Sequence, residues 1–104
     1  MRTPRIALVI AAALFVSIVA VRAAEDGKAL FDAKCAVCHG TNGVPKSIAK
    51  ASPALNDAKW QKGTTVEAIE KRITEGKAPT MKPFKDKLTP EQIKAVADYV
   101  LTLK

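Results

Sequence analysis

A chain of 104 residues has room for one small domain, and its formal charge of +7, from 17 Lys and Arg against 10 Asp and Glu, is basic without being extreme. Most of the basic residues are lysines scattered among acids. They form no arginine-rich or aromatic-interleaved patch, which excludes a nucleic-acid surface and favours encounters with acidic partners.

Arg2 and Arg5 precede an uncharged stretch from Ile6 to Val21, after which Arg22-Ala23-Ala24 leads to the first acidic residue, Glu25. This is the layout of an export signal, with small residues placing the cut after Ala23. The stretch has 16 residues, whereas a spanning helix wants about 20, so removal is expected rather than a retained anchor. No cysteine stands at the cut to take a lipid, and the two arginines are not adjacent, as a twin-arginine route requires. Residues 1–23 are therefore expected to be a cleaved signal peptide and residues 24–104 the mature domain, with 14 basic against 10 acidic residues and no stable membrane insertion. The expected compartment is the periplasm, or the thylakoid lumen in a photosynthetic organism. A domain this short buries a modest core and commonly needs a disulfide, metal or cofactor to be secure.

From Ala24 to Val37 the pattern predicts a helix leading into the cysteines, with Leu30, Phe31 and Ala33 apolar among Lys28, Asp32 and Lys34. The turn Gly40-Thr41-Asn42-Gly43 stops it. Residues 44–62, interrupted by Pro45 and Pro53, read as a wrapped loop with one short helix near Asn56 to Gln61. Thr64 and Glu67 make a capping box for a second helix, whose Val66, Ile69 and Ile73 recur at helical spacing until Gly76. Between Lys77 and Leu88, Pro79 and Pro83 flank Met81 and forbid a regular helix interior. The last helix is the most clearly marked: Thr89 as cap, Pro90 at the first position, Gln92 closing a capping box, then Ile93, Val96, Ala97, Val100 and Leu101 on one face. No alternating stretch offers a sheet, so the expected fold class is all-α.

Cys35-Ala36-Val37-Cys38-His39 is the decisive feature, because Cys-x-x-Cys-His is the attachment pattern of c-type haem. Thiols at i and i+3 can add across the two vinyl groups of one porphyrin, and the next residue offers an imidazole to the iron. The competing readings are a redox-active disulfide, a zinc site and a stray buried histidine. A thioredoxin-like pair would follow a strand and open a helix, whereas here a helical pattern precedes the cysteines and a glycine turn follows. A structural zinc site wants four ligands, and the two cysteines and one histidine of the chain supply three. With haem present, His39 is the sole histidine and Met81 the only methionine of the expected mature chain, so Met81 is the candidate second axial ligand; otherwise it fills a core gap. Lys77, Lys82, Lys85 and Lys87 bracket Met81 and would form a basic rim that steers an acidic redox partner or, as exposed lysines commonly do, simply meets solvent. Trp60 is read as a core aromatic or a neighbour of the haem edge.

Taken in order along residues 24–104, these motifs resemble the small class I c-type cytochromes. Gly27 and Phe31 look like the glycine and aromatic of that family's first helix, where the glycine permits close crossing with the last, and Tyr99 looks like the aromatic of the last helix. Pro53-Ala54-Leu55 is similar to the segment whose proline carbonyl accepts a hydrogen bond from the axial histidine and whose leucine packs on the haem. Met81 with Phe84 resembles the ligand loop. The chain departs from the pattern at Ser52, where the family often has glycine, and at Lys82, which separates Met81 from the proline that often follows the ligand methionine directly. The resemblance implies a small cytochrome c-like helical fold wrapped around one covalently bound haem c. It also implies a monomeric single-electron carrier, not an enzyme, with His39 and Met81 on the iron, Cys35 and Cys38 on the porphyrin, and Pro53 and Leu55 beside it. The competing functions are a haem enzyme or a gas- or peroxide-reactive sensor with an open sixth position, and a dedicated electron-transfer subunit of an oxidoreductase.

Overall fold

The computed structural model describes residues 26–104; the expected signal peptide and its cleavage point lie outside the described residues. Among the described residues five α-helices follow one another: α1 (Gly27–Lys34), α2 (Ala36–His39), α3 (Ala58–Gly63), α4 (Val66–Glu75) and α5 (Pro90–Val100), with a 3-10 turn at Ser47–Ala49 between α2 and α3. Among the described residues there is no strand, only an isolated antiparallel bridge between Lys77 and Met81. None of their helices is long and apolar enough to cross a membrane.

The first helix is capped by Asp26, whose carboxylate accepts from the backbone N–H groups of Lys28 and Ala29. The helix expected as one run to Val37 breaks at Cys35, so the motif begins a separate turn. Thr65, rather than Thr64, caps α4 by accepting from Ala68 N–H. The two threonines are adjacent and equally suited to the role. Val66, which follows Thr65, is the first residue of the apolar face, and that register fixes the choice. At α5 the reciprocal capping box of Thr89 and Gln92 forms as the pattern predicts, with Pro90 as the first helical residue.

Helix α5 is the centre of the molecule, packed by α1 on one side and α4 on the other. Its Val96 and Ala97 are 1% and 0% exposed, and Phe31 of α1 is 1% exposed against them. Burying a phenylalanine so completely contributes about 1.5–3 kcal/mol. Phe31 also meets Tyr99 in a tilted ring contact at 5.4 Å. The α1–α5 crossing is close because residue 27 is glycine: a Cβ there would run into the Ala95 carbonyl, whose carbon would lie 2.7 Å away, and would meet Tyr99 Cβ at 3.2 Å. Ala36 of α2, Ile69 and Ile73 of α4, Ile93 and Val100 of α5, and Leu55, Leu88 and Leu103 complete the core.

Candidate haem site

Cys35 ends α1 and starts the motif turn: its carbonyl accepts from Cys38 N–H at 3.1 Å and His39 N–H at 2.9 Å, and Gly40 N–H closes the turn on Ala36. Residues three apart on such a turn share a face, so Cys35 and Cys38 stand one above the other with His39 next in line. Both thiols are free and half-exposed. Burial pushes the Cys35 thiol up to about 11, with Lys34 opposing and Cys38 adding to the rise. A raised pKa keeps the Cys35 thiol protonated, whereas reactive cysteines have theirs lowered. Among the described residues no three His, Cys, Asp or Glu side chains form a group that could hold a metal ion.

The imidazole of His39 is half-buried, and burial holds it below the usual histidine range, leaving it neutral with a lone pair to give. Ser52 Oγ lies 3.4 Å from His39 Nδ1 and donates to the Pro53 carbonyl at 2.9 Å. The Pro53 carbonyl thus receives the serine hydroxyl, and the serine hydroxyl faces the histidine. The loop that carries these groups is tied back to the motif by Lys46 N–H on the Cys38 carbonyl (2.8 Å) and Leu55 N–H on the Gly43 carbonyl (2.9 Å). Leu55 is buried in the core while Pro53 is exposed. Gln61 clamps the far side: its side-chain amide donates to the carbonyls of Leu55 (2.7 Å) and Val100 (2.9 Å), joining the loop to the end of α5.

Met81 sits on a separate loop hung from the end of α4. Lys77 and Met81 exchange both backbone hydrogen bonds, at 2.8 and 2.9 Å, around a turn that contains a cis Ala78–Pro79 peptide. Gly76 makes this possible: its φ is +70°, and a Cβ would lie 2.5 Å from the Met81 carbonyl oxygen. Phe84 N–H then bonds the Ile73 carbonyl at 3.0 Å, fixing the loop to α4, and Met81 and Phe84 pack half-buried on the core. Trp60 also packs there, partly buried. Lys77, Lys82, Lys85 and Lys87 are all exposed, and the ion pairs among the described residues, Lys28–Asp32 and Lys94–Asp98, involve none of them.

The donor set fits a covalently held haem. Two free thiols and a neutral imidazole share one turn, a thioether sulfur is offered from a second loop, and no buried polar side-chain atom among the described residues is left unpartnered. Val37 and Val44 beside the motif, and Ile48 in the loop that follows, are 65%, 46% and 64% exposed, apolar surface that an apolar macrocycle would suit. Ser52, Gln61 and Gly76 are the contributors that sequence reasoning assigned no role in the site. Ser52 alone left a signal, as the departure from glycine before Pro53.

An all-helical frame presenting Cys-x-x-Cys-His on one turn and a methionine loop beyond it defines a c-type haem domain. The comparisons agree: a family model described as "Cytochrome C oxidase, cbb3-type, subunit III" matches residues 22–100. The chain is 42% identical over 80 residues to cytochrome c6 of Leptolyngbya boryana, covering 76% of this chain and 89% of that protein. It is also 40% identical over 78 residues to the cbb3-type cytochrome c oxidase subunit CcoP of Rubrivivax gelatinosus, covering 74% of this chain but only 25% of the subunit. The solved structure of the KustC0563 c-type cytochrome superposes with a TM-score of 0.73 at 39% identity, over 77% of this chain and 99% of that one. The chain belongs to the small class I c-type cytochromes. Membership brings one covalently bound haem c, with its iron, and members of the family act in electron transfer. The chain spans about a quarter of the length of the oxidase subunits it matches.

Proposed function

We propose that the protein is a single-electron carrier in which Cys35 and Cys38 hold the haem by thioether bonds and His39 and Met81 ligate its iron. The observation that carries this reading is the pairing of a thiol–thiol–imidazole turn with an independently anchored methionine loop. When bound, the haem supplies one-electron chemistry at a potential that Met/His ligation raises. The polypeptide binds, orients and insulates. Burial keeps His39 neutral, the Gly76 turn fixes where Met81 stands, and Leu55, beside Pro53, adds apolar wall. No side chain is asked to move a proton or a group, so the protein itself converts no substrate.

The exposed lysines at 77, 82, 85 and 87, none of them in an ion pair among the described residues, support a docking surface for acidic redox partners, since charge on a rim accelerates encounter. Residues 1–23 are proposed to be removed on export, leaving a monomeric domain in the periplasm or, in a photosynthetic organism, the thylakoid lumen. The match to an oxidase subunit favours a second arrangement with the same chemistry, in which this domain serves one dedicated complex. Absorption spectroscopy tests the ligand set: the oxidised protein is expected to be low-spin and six-coordinate, and a high-spin spectrum of the unmodified protein would remove Met81 from the iron and favour the gas- or peroxide-reactive reading. Purification alone or with a tightly held partner separates the free shuttle from the subunit.

A further inference from the structure

We infer that Ser52 is a positioning residue for the iron-ligating imidazole, its hydroxyl relaying a hydrogen bond from His39 Nδ1 to the Pro53 carbonyl. The inference deepens the proposed function and rests on its assignment of His39 to the iron.

The direction of the relay follows from donor counts. An imidazole that gives Nε2 to a metal carries its proton on Nδ1, which is then a donor only. A serine hydroxyl has one proton and two lone pairs. Ser52 Oγ is 2.9 Å from the Pro53 carbonyl, an acceptor that offers no proton, so the hydroxyl proton is committed there. Its lone pairs remain for Nδ1 at 3.4 Å. No other hydrogen bond to the His39 ring is present among the described residues, so the orientation of the ring depends on this hydroxyl.

The placement of Ser52 is itself determined by the motif. Starting at Cys38, backbone hydrogen bonds run from Lys46 N–H to the Cys38 carbonyl, from Ala49 N–H to Lys46, and from Ser52 N–H to Ala49, each 2.8–2.9 Å. Leu55 N–H on Gly43 fixes the other flank. The serine therefore keeps its station relative to the histidine through a continuous ladder. At 3.4 Å the first leg of the relay is longer than the usual 2.7–3.2 Å for N–H···O, so the imidazole is a weaker electron donor than one bonded tightly to an acceptor. Substitution of a single side chain then changes the ligand's donor strength without touching the iron's ligands.

The test compares the haem-loaded protein with its Ser52→Ala and Ser52→Thr variants. The Pro53 carbonyl is bonded to the serine hydroxyl and not to the ring, so with the backbone ladder unchanged, removing the hydroxyl leaves Nδ1 without its acceptor, makes the imidazole a poorer donor and disfavours the ferric form. At a fixed ambient potential the reduced-to-oxidised ratio of Ser52→Ala is expected to rise about two- to tenfold, the equilibrium equivalent of one net hydrogen bond, while Ser52→Thr stays within about twofold of the parent by keeping the hydroxyl. Exchange of the His39 Nδ1 proton with solvent, followed by NMR, is expected to quicken in Ser52→Ala alone. The parent needs no variant to be informative: its Nδ1 proton should show a through-space contact to the Ser52 β-protons. A missing contact overturns the relay, as does a Ser52→Ala protein with covalent haem, a low-spin spectrum and an unchanged ratio. Those results leave the proposed function standing, whereas a parent without covalent haem defeats both.

Discussion

Replacing Gly27 by alanine tests the packing that sets the whole frame. An added Cβ meets the backbone of Ala95, with the carbonyl carbon at 2.7 Å, and Tyr99 Cβ at 3.2 Å. The nearest atoms belong to a helix backbone and cannot rotate away, so α1 must lift off α5. Overpacking of this kind costs about 1–3 kcal/mol, and the lift also loosens Phe31, which is 1% exposed beneath the crossing. Alanine's helix propensity returns at most about 1 kcal/mol, leaving a net loss of about 1–2 kcal/mol. For a domain of this size that lowers Tm by about 4–16 °C. Gly63→Ala is the control: it removes the same conformational freedom at a position where a Cβ meets nothing within 4 Å, and it should be neutral or raise stability by up to about 1 kcal/mol. Thermal unfolding of the two haem-loaded variants, followed by far-UV circular dichroism, decides the matter. A Gly27→Ala protein that melts at or above Gly63→Ala would refute the close crossing.

Three further outcomes are expected. Met81→Ala opens the sixth iron position, so the oxidised protein becomes high-spin or takes up small added ligands such as imidazole or cyanide; an unchanged low-spin spectrum without added ligand excludes Met81 from the iron. Gly76→Ala combines the strain of a +70° φ with the approach of the Met81 carbonyl oxygen at 2.5 Å, and a loss of about 1–3 kcal/mol is expected in denaturant unfolding, together with weakening of any absorption feature due to methionine ligation. Reversing the charge of Lys82 and Lys85 to glutamate should slow second-order electron transfer to an acidic partner about tenfold or more at low ionic strength, with the difference shrinking as salt is added; equal rates at low salt would move the docking surface elsewhere.

The helices were legible because their signals are local. Thr89, Pro90 and Gln92 announce α5, and the spacing from Ile93 to Leu101 gives its buried face. The short helix expected near Asn56 to Gln61 forms as Ala58–Gly63, started by Asp57. The pattern from Ala24 places Asp26 inside the helix, whereas its carboxylate caps α1 at Gly27. The break at Cys35 is hidden by composition: Lys34 through Val37 contain nothing that forbids a helix. The choice between Thr64 and Thr65 turned on a one-residue register that propensity does not weigh. Cys35, Cys38 and His39 could be read directly, since three scarce residue types in five positions admit few chemistries. Gln61 and Ser52 could not, because each acts through partners fixed only by folding: Val100 lies at the end of another helix, and Ser52 reaches His39 across the motif loop. The Met81 loop was visible as two prolines that stop a helix, but its closure depends on Gly76, which composition presents merely as a helix stop.

The central claim is that the polypeptide is bonded to a porphyrin through the sulfurs of Cys35 and Cys38. Intact mass spectrometry of the exported protein under denaturing conditions tests it most directly. The expected result is the mass of residues 24–104 plus one haem, reverting to haem-free mass when both cysteines are replaced by serine. Unmodified protein recovered from a cell with a working haem-attachment system at the mass of bare polypeptide would contradict the account.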